Sequence, residues 1–123
     1  MRVHRHAAWV VAVVWLGLAS SAFAQFTWTG AGIDKNWTTG ANWVGRVAPT
    51  PGADVVFRAN STQNFVDLDT SSTVNSITIN AGNPYIQGIS PFNQTLTIGA
   101  GGVSAISGAL NVDYAVSTVL GAA

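Results

Sequence analysis

The chain has 123 residues, with five basic side chains, five acidic ones, two histidines and no cysteine. Both histidines, His4 and His6, and two of the arginines lie in the first six residues, so the part after residue 24 keeps Lys35, Arg46 and Arg58 against five aspartates, with no glutamate. That inventory lacks the usual general bases, thiolate nucleophiles and transition-metal ligands, and three scattered cations exclude a surface that tracks nucleic-acid phosphates.

Residues 1–24 read as a secretory signal peptide: a basic start, an apolar run over 7–18, and the small-residue exit Ala22-Phe23-Ala24. The run falls short of the about 20 residues that a bilayer-spanning helix needs. The expectation is a signal-peptide helix removed after Ala24 and an exported product beginning at Gln25. That product has no stable membrane span and resides in the periplasm, on the outer surface or outside the cell.

Residues 25–52 hold the remaining tryptophans, in Trp28-Thr29-Gly30, Asn36-Trp37-Thr38 and Asn42-Trp43-Val44, followed by Pro49-Thr50-Pro51-Gly52. Two uses compete for them. As an N-terminal cap, bulky aromatics on an irregular segment would cover the open end of stacked strands. As a sugar platform, exposed Trp28, Trp37 and Trp43 would stack on pyranose rings while Asn36 and Asn42 bond hydroxyls. Large aromatics bury most of their surface in folded proteins, which favours the cap.

From residue 53 onward, and also at 26–29, short alternating runs separated by Gly, Asn, Pro and Ser predict strands: 26–29, 54–58, 65–69, 74–80, 85–89, 95–99, 103–106 and 110–114. No run repeats at helical spacing. An internal repeat supports residues 53–123 as incomplete solenoid coils. Ser76-Ile77-Thr78-Ile79-Asn80-Ala81-Gly82-Asn83 returns as Thr95-Leu96-Thr97-Ile98-Gly99-Ala100-Gly101-Gly102, an offset of 19. Weaker matches at an offset of 22 relate Val55 to Ile77 and Leu96 to Thr118. The expected fold is all-β, a short parallel β-helix in which Ile77 stacks over Leu96 and Ile79 over Ile98, with Gly82, Gly99, Gly101 and Gly102 at corners. The alternative is an antiparallel β-sandwich.

Candidate chemistry is sparse. Asp67 and Asp69 share an outward face if Val66 and Leu68 point in, but a calcium site gathers more oxygen ligands around a glycine turn, and a glycosidase needs paired carboxylates in a cleft. A serine nucleophile lacks a histidine after residue 24. Gly99-Ala100-Gly101-Gly102 lacks the lysine and helix of a phosphate loop. No catalytic, cofactor-binding or metal-binding residue is expected, and no cofactor.

Trp28-Thr29-Gly30-Ala31-Gly32, Asp34, Asn36-Trp37, Ala41-Asn42-Trp43 and the run from Ala48-Pro49-Thr50-Pro51-Gly52 to Phe57 resemble the N-terminal region of bacterial proteins with autotransporter-associated β-strand repeats. Thr73-Val74-Asn75-Ser76-Ile77-Thr78-Ile79 and the run from Leu96 to Gly102 are similar to that family as well. The resemblance implies a right-handed β-helical passenger, secreted or held at the cell surface, with a structural or adhesive role. It also implies a fragment of a longer repeat protein, since the chain stops at Ala123 inside what would be a further coil, without the barrel or sorting tail of other members. The expected partner is an unidentified surface component or a polysaccharide, and the open end of the coils is expected to self-associate.

Overall fold

The computed structural model describes residues 22–59, 61–113 and 116–121; most of the expected signal-peptide helix lies outside them. In chain order the strands are β1 (Gln25–Trp28), β2 (Ala53–Phe57), β3 (Phe65–Leu68), β4 (Ser72–Ile79), β5 (Tyr85–Gly88), β6 (Thr95–Ala105), β7 (Asn111–Val112) and β8 (Ser117–Leu120). Two 3₁₀ turns, Gly40–Asn42 and Val44–Arg46, lie between β1 and β2. The class is all-β, and no helix among the described residues is long and apolar enough to cross a membrane.

From β2 onward the chain passes alternately between two sheets. One has the order β1-β2-β4-β6-β8 and the other β3-β5-β7, and every ladder between these strands is parallel. This corrects the antiparallel-sandwich alternative; among the described residues the antiparallel contact is the isolated bridge between Trp28 and Trp43. A tight hairpin returns a strand antiparallel, whereas a parallel neighbour needs a crossing connection. Here the turn segments send the chain to the opposite sheet before it returns.

Alternation decides what faces inward. Val55 opposes Ile77, and Phe57 lies between Trp28 and Ile79; in the second sheet Val66, Ile86 and Val112 align. Val55, Ile77, Ile79, Val66 and Ile86 are fully buried, and each such aliphatic side chain stabilises the fold by about 1.5–3 kcal/mol.

The ladder between β4 and β6 departs from the expected stacking. Ile77 opposes Val103 and Ile79 opposes Ala105, while Leu96 opposes Ser72 and Ile98 opposes Val74. The weaker offset of 22 holds on both sides, Val55 with Ile77 and Leu96 with Thr118. The stronger 19-residue similarity links the second half of β4 to the first half of β6, two segments with the same inward alternation but different places along the strand.

Bulges explain the difference. Asn75 is an extra residue relative to β2, so Asn75 and Ser76 both stay partly exposed while Val74 and Ile77 both face inward. In β6 the insertion grows to Gly99-Ala100-Gly101, between Ile98 opposite Val74 and Gly102 opposite Ser76. The two expected strands at 95–99 and 103–106 are therefore one bent strand. Only glycine fits at 101, where a Cβ would lie 2.6 Å from the Cβ of Ser76.

Residues 25–52 extend the same two sheets. β1 adds to β2, and residues 35–37 run parallel beside β3, with the Asp67 amide donating to the Lys35 carbonyl at 2.8 Å and the Trp37 amide donating to the Asp67 carbonyl at 2.8 Å. The 3₁₀ turns then bring Asn42 and Trp43 back against the end of β1.

Candidate functional site

The three candidate tryptophans form one packed cluster. Trp43 meets Trp28 and Trp37 edge-on, each pair with ring centroids 5.0 Å apart, and Trp28 leans on Phe57 at 6.4 Å. Their exposures are 1%, 2% and 1% for Trp28, Trp37 and Trp43. Two of the indole N–H groups are also satisfied inside: Trp28 Nε1 donates to the Gln63 carbonyl at 2.9 Å and Trp43 Nε1 to the Trp37 carbonyl at 2.8 Å. A sugar platform requires a ring face open to solvent, and none of the three presents one. The apolar bodies of all three, and the polar tips of Trp28 and Trp43, are engaged inside the fold.

Asn42, expected as a hydroxyl-binding partner, is fully buried and occupied. Its Nδ2 donates to Asp34 Oδ1 at 3.1 Å and to the Asn36 carbonyl at 3.0 Å, and its Oδ1 accepts from the Gly32 amide at 2.8 Å. Its carbonyl accepts from the Thr29 amide at 2.7 Å. A Cβ at residue 32 would lie 2.5 Å from Asn42 Oδ1, so this approach requires glycine. Asp34 completes the knot by accepting from the Asn36 amide and the Thr39 hydroxyl. Asn36 acts through its backbone, bridging to β3.

The aspartates on β3 and just beyond it are fasteners too. Asp69 accepts from the Thr38 amide at 3.1 Å and from the Thr38 hydroxyl, tying the Trp-rich loop to the second sheet. Asp67 accepts from Gln87 Nε2 on the neighbouring strand. Val66 and Leu68 are fully buried, so the outward placement of Asp67 agrees with its parity. On the first sheet Asp54 accepts from Asn75 Nδ2 at 2.7 Å and Ser76 Oγ at 2.6 Å. Among the described residues no three His, Cys, Asp or Glu side chains gather as a metal site.

A cleft of about 250 Å³ opens between the Trp-rich loop and the turn from β3 into β4, walled by Ala48, Pro49 and Pro51 and by the hydroxyl-bearing run Thr70–Thr73. Ser71 accepts from the Thr95 amide at 2.9 Å and the Ser72 hydroxyl donates to the Thr70 carbonyl, so much of this wall is internally bonded.

No family model matches this chain, and comparison with curated proteins and with solved structures finds no match either.

One group was overlooked in the sequence: Phe65 and Tyr85, side by side on the outer face of the second sheet with ring centroids 5.5 Å apart. Lys35 Nζ stands 5.2 Å from the Phe65 ring centroid. The signal was present in the strand parity. If Val66 and Leu68 point in, Phe65 points out with Asp67, and Tyr85 follows by the same rule from Ile86.

Proposed function

We propose that this chain is an exported structural module of the cell surface, a short right-handed parallel β-helix of the autotransporter-associated kind, with no catalytic activity of its own. The observation that carries the reading is the employment of its polar side chains. Asp34 and Asn42 knot the Trp-rich loop internally, and Asp54, Asp67 and Asp69 each join one loop or strand to another, where an enzyme would hold such groups poised toward a substrate. Inward aliphatic rows and parallel ladders supply cohesion without disulfides, as stacked coils do. A rod of this construction displays side chains at fixed intervals, which suits a spacer or an adhesive face. The residues ahead of Gln25 fit export.

Expression of the full chain in a diderm bacterium, followed by fractionation and N-terminal sequencing, tests the reading. An exported product beginning at Gln25 and open to protease on intact cells is the expected result. An uncleaved chain retained in the cytoplasm overturns it.

A further inference from the structure

We propose that the outer face of the second sheet is a docking surface for a neutral polysaccharide strand, with Phe65 and Tyr85 as its aromatic contacts. The proposal rests on the exported-module reading, because only an exported chain meets such polymers. In β3 and β5 the inward residues Val66, Leu68 and Ile86 are fully buried, so Phe65, Asp67, Tyr85 and Gln87 share the opposite face. The register sets them in two rows across the strands, Phe65 beside Tyr85 and Asp67 beside Gln87. The rows are separated along the strands by two residues, about 6.6 Å.

The chemistry of the two rows is complementary to a pyranose. A sugar ring offers an apolar C–H face, which packs on an aromatic ring, and a rim of hydroxyls, which suits planar carboxylate and amide groups. Phe65 is 49% exposed, although the chain buries its three described tryptophans almost completely. Tyr85 beside it is half-buried. The bond from Gln87 Nε2 uses Asp67 Oδ1 and fixes the two planar groups relative to each other on this face.

Charge selects among polymers. The ammonium of Lys35 over Phe65 and the carboxylate of Asp67 stand on the same face with opposite signs, so neither an acidic nor a basic polymer gains a uniform attraction. Adjacent strands lie about 4.8 Å apart, close to the advance of one pyranose unit. The two aromatic rings are tilted 60° to each other, so a glycan running across the strands meets Phe65 and Tyr85 in turn, at different angles.

Native gel electrophoresis of the full chain through gels containing hydroxyethylcellulose, galactomannan, arabinoxylan or starch tests the proposal. At least one of these polymers is expected to retard the protein. Tyr85→Ala and Phe65→Ala are each expected to weaken that retardation by about tenfold or more, leaving the urea midpoint in place. If Tyr85→Ala lowers the midpoint, Tyr85→Thr, which suits a strand, replaces it with the same two outcomes. No retardation by any of the four polymers, or retardation indifferent to both substitutions, overturns the proposal. So does a glycan-free dimer in sedimentation that Tyr85→Ala dissociates, since the face is then a contact between copies. Export and cleavage before Gln25 do not depend on Tyr85. An exported chain that binds no glycan therefore removes this proposal alone.

Discussion

Replacing Asn42 by aspartate keeps the side-chain shape and exchanges a two-proton donor for an acceptor. In the folded chain that donor faces Asp34 Oδ1 at 3.1 Å and the Asn36 carbonyl at 3.0 Å, with no exposed surface on the residue. Removing the amide with Asn42→Ala breaks these two bonds and the one from Gly32, at about 1 kcal/mol each, for a loss of about 3 kcal/mol. Asn42→Asp keeps the Gly32 bond but sets a second carboxylate against Asp34. The repulsion is worth up to about 4 kcal/mol at an effective dielectric of 20, reduced by the partial exposure of Asp34. The expected deficit at pH 7 is about 5 kcal/mol, comparable to the whole stability of a marginal domain.

The two variants separate on acidification. The folded state raises the pKa of the new carboxylate above the ordinary aspartate value of about 3.9. The deficit of Asn42→Asp relative to the unsubstituted chain is therefore full above the raised value and shrinks as pH falls toward 3.9, where a protonated oxygen again donates. Urea unfolding followed by far-UV circular dichroism at pH 7 and pH 4, on both chains, measures it. With a urea slope of about 2 kcal/mol per molar, Asn42→Ala lowers the midpoint by roughly 1.5 M. An Asn42→Asp midpoint equal to that of the unsubstituted chain at pH 7, or a deficit identical at the two pH values, would refute the assignment of Asn42 as the fastener of this loop.

The register between β4 and β6 is open to direct test by oxidation. Thr73→Cys with Thr97→Cys joins opposed residues and closes a disulfide, whereas Thr78→Cys with Thr97→Cys, the pair that the 19-residue similarity would align, stays reduced because Thr78 opposes Ser104; the opposite pattern in non-reducing mass spectrometry restores the repeat-based register. Gly101→Ala drives a methyl group against Ser76 and is expected to lower stability by about 1–3 kcal/mol, with an unchanged urea midpoint as the contrary result. Trp43→Phe removes the bond to the Trp37 carbonyl and part of the ring contact, for an expected loss of about 2 kcal/mol; a neutral outcome would mean that the aromatic cluster does not hold the end of the sheets. Val55→Ala leaves a void beside Ile77, and a loss of about 1–3 kcal/mol in the same assay is expected.

Much of the site was legible one residue at a time and illegible as a group. Trp28, Trp37 and Trp43 were visible as a set, and burial of large aromatics favoured the cap, but the Trp28 ring and the backbone of the segment holding Trp37 acquire partners from across the chain, Gln63 and β3. Asn42 looked like a surface amide because nothing local shows that Gly32, Asp34 and Asn36 will surround it. Asp67 faces outward as its parity requires, whereas Asp69 lies just past the strand; their bonds to Gln87 and Thr38 depend on which strand and loop lie alongside. Phe65 and Tyr85 each obeyed the alternation of their own strand, and their adjacency required the ladder between β3 and β5.

Composition and alternation by themselves determined the all-β class and the inward or outward side of residues such as Val66, Ile77 and Ile86, because the facing of a side chain is a property of a few bonds of backbone. The internal repeat favoured parallel strands and the bulk of the tryptophans favoured their burial, but the choice against an antiparallel sandwich and the stacking of Ile77 on Val103 were decided only by the tertiary structure. Register accumulates every bulge and turn between two strands, and the extra residues at Asn75 and at Gly99-Ala100-Gly101 shift it in a way that no short stretch of sequence records.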